Sequence, residues 1–456
     1  MGCSGLSNQL EFSALMPCDS EFLYRWHTMP RAINRLIPPW ENILVVKHPP
    51  SIIDKGKVHI KVDGLIDWHL EINDVQEGKC FSDKQIKGPL LYWTHKHSMQ
   101  AINESSSLLV ERISFKLPLL DSVLNQLITK IKLKPIFDYR FRTMLNDIKI
   151  HYKYKNNKSM KILISGSSGL VGSALVDFLS SGGHQVYKLV RSQTREANEI
   201  YYNSDESDLT KLEGFDAVIH LAGENIAGKR WTTEQKQKIK QSRIDGTSSL
   251  AQALTKLKSA PQVFICASAI GYYNNSIEPC CDESSPAGEG FLADTCKQWE
   301  QACMILKGKN IRVVNTRFGI ILDPKSGALA KILPIFSLGA GGRLGNGNQW
   351  MSWVALDDVL GVILHCLNNN GIRGPVNVVA PNPVTNNEFT EVLSKVLNRP
   401  AIFPVPSLAL KIVLGEMSDE LLLSSLKISS KVLKETGYDF AYPDLNSALK
   451  HMLGKP

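Results

Sequence analysis

Two periods of apolar and polar positions run along this chain, and the change between them divides it. In residues 1–157, Asp19-Ser20-Glu21 ahead of Phe22, Leu23, Tyr24 and Trp26 predicts a capped helix. A second short helix follows over Arg31–Leu36, closed by Pro38-Pro39. Strand-like runs then occupy Ile43–Val46, Lys57–Val62, Asp67–Ile72, Cys80–Ile86, Leu90–His97 and Leu108–Leu117. The alternation of Ile113, Phe115 and Leu117 with polar residues marks a half-buried strand. Phe137, Phe141, Met144, Leu145 and Ile148 then fall on one face of a long helix. A polar Lys/Asn-rich linker spans Tyr154–Ser159.

From Met160 the pattern becomes continuous apolar runs separated by helical stretches. Ile162–Ile164 reads as a buried strand, and Leu175, Val176, Phe178 and Leu179 follow at helical spacing. Further strands are expected at Gln185–Val190, Asp216–Gly223, Val263–Ser268, Val313–Ile321 and Asn377–Ala380. Strands alternating with helices predict an α/β fold with a doubly wound parallel sheet. Thr385-Asn-Asn-Glu388 is a capping box, and Trp353–Val359 resembles a strand-to-helix junction at which an Asp caps the helix, so Asp358 is read as a structural cap. Short helices around Leu408, Leu414, Leu421–Leu423, Leu426 and Val432 close the chain.

At 456 residues the chain is long enough for two or three domains, and 43% hydrophobic with 21% charged residues suits a globular protein. No membrane span or secretion signal is expected. Nine scattered cysteines suit reduced thiols and a cytoplasmic location. Residues 1–158 hold 22 Lys+Arg against 16 Asp+Glu, with many of the cations between Lys130 and Lys158. They read as the solvated side of a helix, so no nucleic-acid partner is expected. Cys280-Cys281 lack zinc spacing, and the alternating His95-Lys-His97 reads as a wet strand face, so no metal is expected.

The chemistry concentrates in Gly166-Ser-Ser-Gly169-Leu170-Val171-Gly172, between the first strand and helix of the α/β region. Free N–H groups at a helix start, with glycines that admit close approach, suit a diphosphate. Arg191 ends the second strand, where Asp or Glu would hold a ribose 2′-OH and Arg suits a 2′-phosphate. Ala222 and Gly223 end the next long strand with small residues that let a cofactor approach. The expected cofactor is NADP.

Later motifs carry a specific resemblance. His220-Leu-Ala-Gly-Glu-Asn-Ile226, Ser242-Arg-Ile-Asp-Gly-Thr247, Gly271-Tyr272-Tyr273, Phe291-Leu-Ala-Asp294, Trp299-Glu300 and Gly342-Arg-Leu-Gly345 with Gln349-Trp350 occur in order. Together they resemble the atypical extended short-chain dehydrogenase/reductases, in the sugar-nucleotide-epimerase-like group that ends in a small domain of unassigned function. The resemblance implies an NADP-binding Rossmann domain over 160–398 and a small helical domain over 399–456. It also implies that Gly166, Gly169, Leu170, Val171 and Gly172 cradle the diphosphate, with Arg191 on the 2′-phosphate. Leu221, Ala222 and Gly223 would pass under the adenine-ribose portion, and Arg243 would reach in from the following helix.

Reductases of this type use a Ser after the fifth strand and a Tyr-x-x-x-Lys one helix later. Ser268 stands in the first place, but Phe291-Leu-Ala-Asp-Thr295 replaces the second, and phenylalanine carries no proton. Tyr272 and Tyr273 are the nearest substitute acids, or else two rings that merely wall the pocket. Asp294 and Lys297 are further candidates. The Gly339–Gly347 loop with Arg343 is either part of the substrate lobe or a flexible lid.

Before the linker, Trp26-His-Thr-Met-Pro30 through Trp40-Glu41, and Asp83–Pro89 followed by Trp93–His97, resemble the START-like (polyketide-cyclase-like) superfamily. That implies a helix-grip domain over 1–157, holding either an apolar ligand or a filled core. The chain thus reads as an NADP-dependent oxidoreductase or epimerase-like enzyme acting on an unidentified small molecule. The alternative is a non-catalytic NADPH-binding sensor or scaffold with a lipid-binding domain.

Overall fold

The alternating runs of the first region pair into one antiparallel sheet. In chain order its strands are β1 (Asn8–Met16), β2 (Ile43–Lys47), β3 (Lys57–Val62), β4 (Ile66–Gln76), β5 (Cys80–Lys87), β6 (Tyr92–Asn103) and β7 (Ser106–Lys116), arranged β1-β7-β6-β5-β4-β3-β2. The computed structural model describes residues 8–49, 51–117, 122–192, 194–203, 208–273 and 276–456. Contacts divide the chain into two compact units, residues 1–157 with 177–183 and 451–456, and residues 158–176 with 184–450.

In the first unit, helix α1 (Ser20–Thr28) begins at Asp19, whose carboxylate accepts the Phe22 N–H at 2.7 Å. The short α2 (Ala32–Arg35) follows, and Arg35 pairs with Asp147 at 2.8 Å on the long helix α3 (Ser122–Lys153). Leu23 and Trp26 of α1, Ile72, Phe81, Met99 and Leu109 of the sheet, and Met144 and Ile148 of α3 form one core. Phe137, Met144 and Ile148 of the expected α3 face are buried and Phe141 half-buried, but Leu145 is 39% exposed and lies off that face, as Lys130, Lys132, Lys134 and Lys149 do. Strand β1 has no counterpart among the expected strands, although Leu10, Phe12, Ala14 and Met16 form its inward phase against exposed Gln9, Glu11, Ser13 and Leu15.

The second unit is built on a seven-stranded parallel sheet. Its strands are β8 (Lys161–Ser165), β9 (Gln185–Val190), β10 (Glu199–Tyr201), β11 (Ala217–His220), β12 (Val263–Ala269), then Arg312–Phe318 and Gly374–Val378. The order runs β10-β9-β8-β11-β12, followed by the two later strands. This Rossmann-like order reverses direction between β8 and β11, where ligands of doubly wound sheets bind beyond the carboxyl ends of the strands. Helices α4 (Leu170–Ser181), α5 (Thr233–Thr255) and α6 (Phe291–Ala302) follow β8, β11 and β12. Strands buried on both faces explain why these runs are continuously apolar, as in Ile162–Ile164 and Ala217–Ile219, all fully buried.

Three local expectations are corrected. Asp358 does not cap its helix, whose N-cap is Ala355 without a side-chain bond. Its fully buried carboxylate instead accepts the Ala441 and Tyr442 N–H groups, at 2.7 and 3.0 Å, and the Tyr438 hydroxyl, clamping a distant loop. Leu408 is 68% exposed, and the helix Ser407–Leu414 buries none of its residues. The last sheet strand lies three residues earlier than expected, because Gly374 and Pro375 pair with Val314 and Asn315. The capping box forms as expected, with Thr385 and Glu388 each accepting the other's backbone N–H.

Candidate functional site

The glycine turn sits at the sheet reversal. Gly166 follows β8 with φ of +70°, in the left-handed region that favours glycine. A Cβ there would lie 2.7 Å from the Leu221 carbonyl carbon and 2.8 Å from the Ala222 nitrogen, at the end of β11. A Cβ on Gly172 would lie 2.2 Å from the Gly166 oxygen, so the first turn of α4 can press onto the loop only with glycine there. Ser168 and Gly169 are exposed, Leu170 and Val171 half-buried, and the Gly169 N–H closes the turn onto Gly166 O at 3.0 Å. The result is a cradle with backbone at its floor and a helix start facing it, a fit for a dinucleotide diphosphate.

The other proposed cofactor residues border this cradle. Arg191 is exposed immediately beyond β9, the strand beside β8. Leu221, Ala222 and Gly223 continue from β11, the strand on the other side, and the Leu221 N–H donates to Ser165 O. Arg243 comes from α5 and donates to the Glu224 carbonyl at 3.0 Å, with its guanidinium 5.1 Å from the Trp299 ring. It stands 3.4 Å from the position of a Cβ on Gly223, so it buttresses the loop under the cradle. At the reversal itself, Ser165 Oγ lies 2.6 Å from His220 Nδ1, and burial pushes the His220 imidazole down to about 4.

The candidate proton-transfer residues converge at the end of β12, in unequal states. Ser268 is 2% exposed and donates to Glu300 Oε1 at 2.7 Å. Arg317, on the neighbouring strand, grips Glu300 with two bonds of 2.8 Å. It also donates to the Tyr273 hydroxyl at 2.7 Å, and that hydroxyl donates to Asn377 Oδ1 at 2.7 Å. Burial pushes the Tyr273 phenol up to about 12, against the opposing pull of Arg317. Tyr273 is therefore locked in a buried network and is a poor proton donor.

Tyr272 differs. Its ring is half-buried beneath the Arg317 guanidinium, 3.5 Å from its centroid, and its hydroxyl bonds no described residue. Of the two tyrosines, only Tyr272 keeps a phenol available.

Phe291, at the position where a catalytic tyrosine is expected, packs edge-on against Trp231 at 5.0 Å. The N–H groups of Phe291 and Leu292 donate to the Glu420 carboxylate, which fills the helix start. Asp294 and Lys297 face solvent on α6. The 339–347 loop is pinned by Gly345 N–H to Val405 O at 2.9 Å and Val405 N–H to Arg343 O at 2.8 Å, which is not the behaviour of a free lid.

Sequence reasoning gave no role to Glu300, Arg317 and Asn377. The available signal was a polar run, Asn315-Thr316-Arg317, inside a strand of a sheet whose neighbours are apolar.

In the first unit, the reading of His95 and His97 as a wet face is overturned. They are 4% and 6% exposed, on the inward face of β6.

Among the described residues no helix is long and apolar enough to cross a membrane. Residues 162–380 match the NAD dependent epimerase/dehydratase family, and residues 405–452 match a domain of unknown function, DUF1731. An epimerase family protein of Mycobacterium leprae is 37% identical over 297 residues, covering 65% of this chain and 96% of that protein. Human epimerase family protein SDR39U1 is 33% identical over 297 residues, 64% of this chain and 100% of its own length.

Among solved structures, a nucleoside-diphosphate sugar epimerase from Corynebacterium glutamicum superposes with a TM-score of 0.81 at 27% identity, covering 98% of this chain and 90% of that one. Human SDR39U1 with NADPH superposes at 0.60 with 32% identity, covering 64% and 99%. With the cradle, the sheet order and relatives matched over nearly their full length, the chain belongs to the NAD-dependent epimerase/dehydratase family and carries the DUF1731 domain at its C-terminal end.

Proposed function

We propose that this protein is an NADP(H)-dependent oxidoreductase-like enzyme of the extended short-chain type, acting on a small molecule at a hydroxyl- or carbonyl-bearing carbon. The observation that carries the reading is the Gly166–Gly172 cradle, which a Cβ at either end would fill. The human relative solved with NADPH supports the same cofactor class. Arg191, unencumbered beyond β9, supports a 2′-phosphate and hence NADP over NAD, because a guanidinium offers paired charged donors to phosphate. The nicotinamide would supply or accept the hydride.

The chain's own part is to hold the diphosphate on the Gly166, Gly169, Leu170, Val171 and Gly172 backbone and to keep a proton at the Tyr272 hydroxyl. Ser268, Glu300, Arg317 and Tyr273 act as the support behind it. Arg317 lies over the Tyr272 ring, 3.5 Å from its centroid, and holds the ring in place by a cation–π contact.

Tyr272→Phe should then lower turnover by about 10²–10⁴-fold with NADPH affinity unchanged. Equal loss of turnover and cofactor affinity, or no loss, would contradict the assignment. The sensor reading gains from the missing Tyr-x-x-x-Lys, and an inert Tyr272 would favour it. We also read residues 1–157 as START-like, on the support of the seven-stranded antiparallel sheet and the 32-residue helix.

A further inference from the structure

The inner face of the first unit's sheet carries five titratable side chains where a core would ordinarily be apolar. His27 comes from α1, Asp83 from β5, His95 and His97 from β6, and Glu111 from β7. The pairing places His97 opposite Glu111 and Asp83 opposite His95, so all four sheet residues share the inward phase with Phe81, Leu109 and Ile113. Glu111 is fully buried and the three histidines are between 4% and 8% exposed.

Such a set is costly unless every group is engaged, and here several are not. His27 Nδ1 lies 3.0 Å from the Leu23 carbonyl, a partner that accepts but cannot donate, so Nδ1 carries the hydrogen. Its Nε2 is thereby left with a lone pair, buried and unpartnered. His97 Nε2 lies 3.2 Å from Asp83 Oδ2, while the other Asp83 oxygen accepts from the Trp93 indole. His97 Nδ1 and His95 Nε2 stand 2.8 and 2.7 Å from Glu111 Oε2, yet neither makes a hydrogen bond of acceptable direction, and both Glu111 oxygens remain unpartnered. These polar atoms approach within ion-pair distance but are poorly aligned for hydrogen bonding, so they converge on one small buried region. Donor atoms of His27, His97 and Glu111 lie within 4.8 Å of one another.

We propose that these side chains bind one divalent first-row transition ion of the Zn²⁺ class, with His27 Nε2, His97 Nδ1 and the Glu111 carboxylate as ligands and His95 Nε2 beside them. Ligands ~2.0–2.1 Å from a tetrahedral ion lie about 3.3–3.4 Å apart, so His97 Nδ1 and Glu111 Oε2, now 2.8 Å apart, would separate by roughly half an ångström on binding. Each ligating histidine has its second nitrogen held by an outer partner, the Leu23 carbonyl for His27 and the Asp83 carboxylate for His97, as metal-binding histidines ordinarily do. Asp83, His95 and His97 also cluster, but Asp83 is engaged through both oxygens and acts as that outer support. Three protein ligands leave a fourth position, for which His95 Nε2, 2.7 Å from Glu111 Oε2, is the adjacent side-chain donor. Two imidazoles and one carboxylate suit zinc and related ions rather than calcium or magnesium.

The test uses the full chain, stripped with chelator and titrated with Co²⁺ and then Zn²⁺. The expected result is one equivalent of Co²⁺ per chain with a visible d–d absorption, displaced by Zn²⁺. Glu111→Gln and His97→Gln should weaken uptake at least 100-fold, and Asp83→Asn 10–100-fold. His59→Gln, outside the cluster, should leave uptake unchanged. If circular dichroism finds the Glu111 variant unfolded, His27→Gln carries the same expectation from the helix side. Absence of stoichiometric uptake by wild type at micromolar Co²⁺ or Zn²⁺, or uptake indifferent to these substitutions, would overturn the proposal and leave a closed ion-pair network.

Discussion

Replacing Arg317 by Met removes the centre of the polar network behind Tyr272. Arg317 and Glu300 side chains are only 3% and 13% exposed, and the pair is joined by two bonds of 2.8 Å. With Arg317 gone, Glu300 keeps the Ser268 hydroxyl as its remaining donor in the network, and the Tyr273 hydroxyl loses its incoming bond. Breaking a buried pair from one side costs about 3–5 kcal/mol, against about 0.2–1 kcal/mol for an exposed pair. The double change Glu300→Gln with Arg317→Met should cost less than the sum of the single changes by roughly 1–3 kcal/mol.

Because the chain has two compact units, a single global unfolding energy is not well defined. Hydrogen exchange of peptides spanning 263–273 and 311–319 reads this network directly. A loss of protection below about 1 kcal/mol for Arg317→Met, or strict additivity in the cycle, would refute the claim that the charges are desolvated and coupled.

Further predictions follow from the cradle and the switch point. Gly172→Ala should abolish dinucleotide binding while leaving the first unit's exchange pattern intact, since its Cβ meets backbone at 2.2 Å; retained affinity, measured by cofactor fluorescence, would show the cradle to be unimportant. His220 is held about 4 by burial, below its unfolded value of ~6.5. The folded state therefore binds fewer protons, and the contribution is complete above pH 6.5 and lost as pH falls through 4. The loss amounts to about 3 kcal/mol. Exchange protection of the β8 and β11 peptides should fall across that window in wild type and less in His220→Asn, and equal slopes would contradict it.

The parallel sheet was legible because strands buried on both faces leave unbroken apolar runs, and the cradle because glycine there is a steric requirement. Strand β10, three residues long and half-buried throughout, leaves no such run. The His95–His97 alternation was read with the correct period and the wrong face. Periodicity fixes which residues share a side of a strand, and polar side chains suggest solvent, yet here the polar phase joins Leu109 and Ile113 in the interior. The Arg317 network was invisible for another reason. Its members Ser268, Tyr273, Glu300, Arg317 and Asn377 come from separate stretches of chain, and the pairing of β12 with Arg312–Phe318, of that strand with Gly374–Val378, and the placement of α6 beside them bring them together. Asp358 shows the same limit: its position at a helix start suggested a cap, while its partners lie 80 to 84 residues away.

The central claim is an NADP site at the β8–β11 reversal. Its most direct measurement is a fluorescence titration of NADPH and NADH against wild type and Arg191→Ala. The account predicts tighter binding of NADPH by wild type and loss of that preference in the variant by roughly ten-fold or more, about 1.4 kcal/mol. Equal affinities for both cofactors, a preference that survives the substitution, or no binding of either would contradict it.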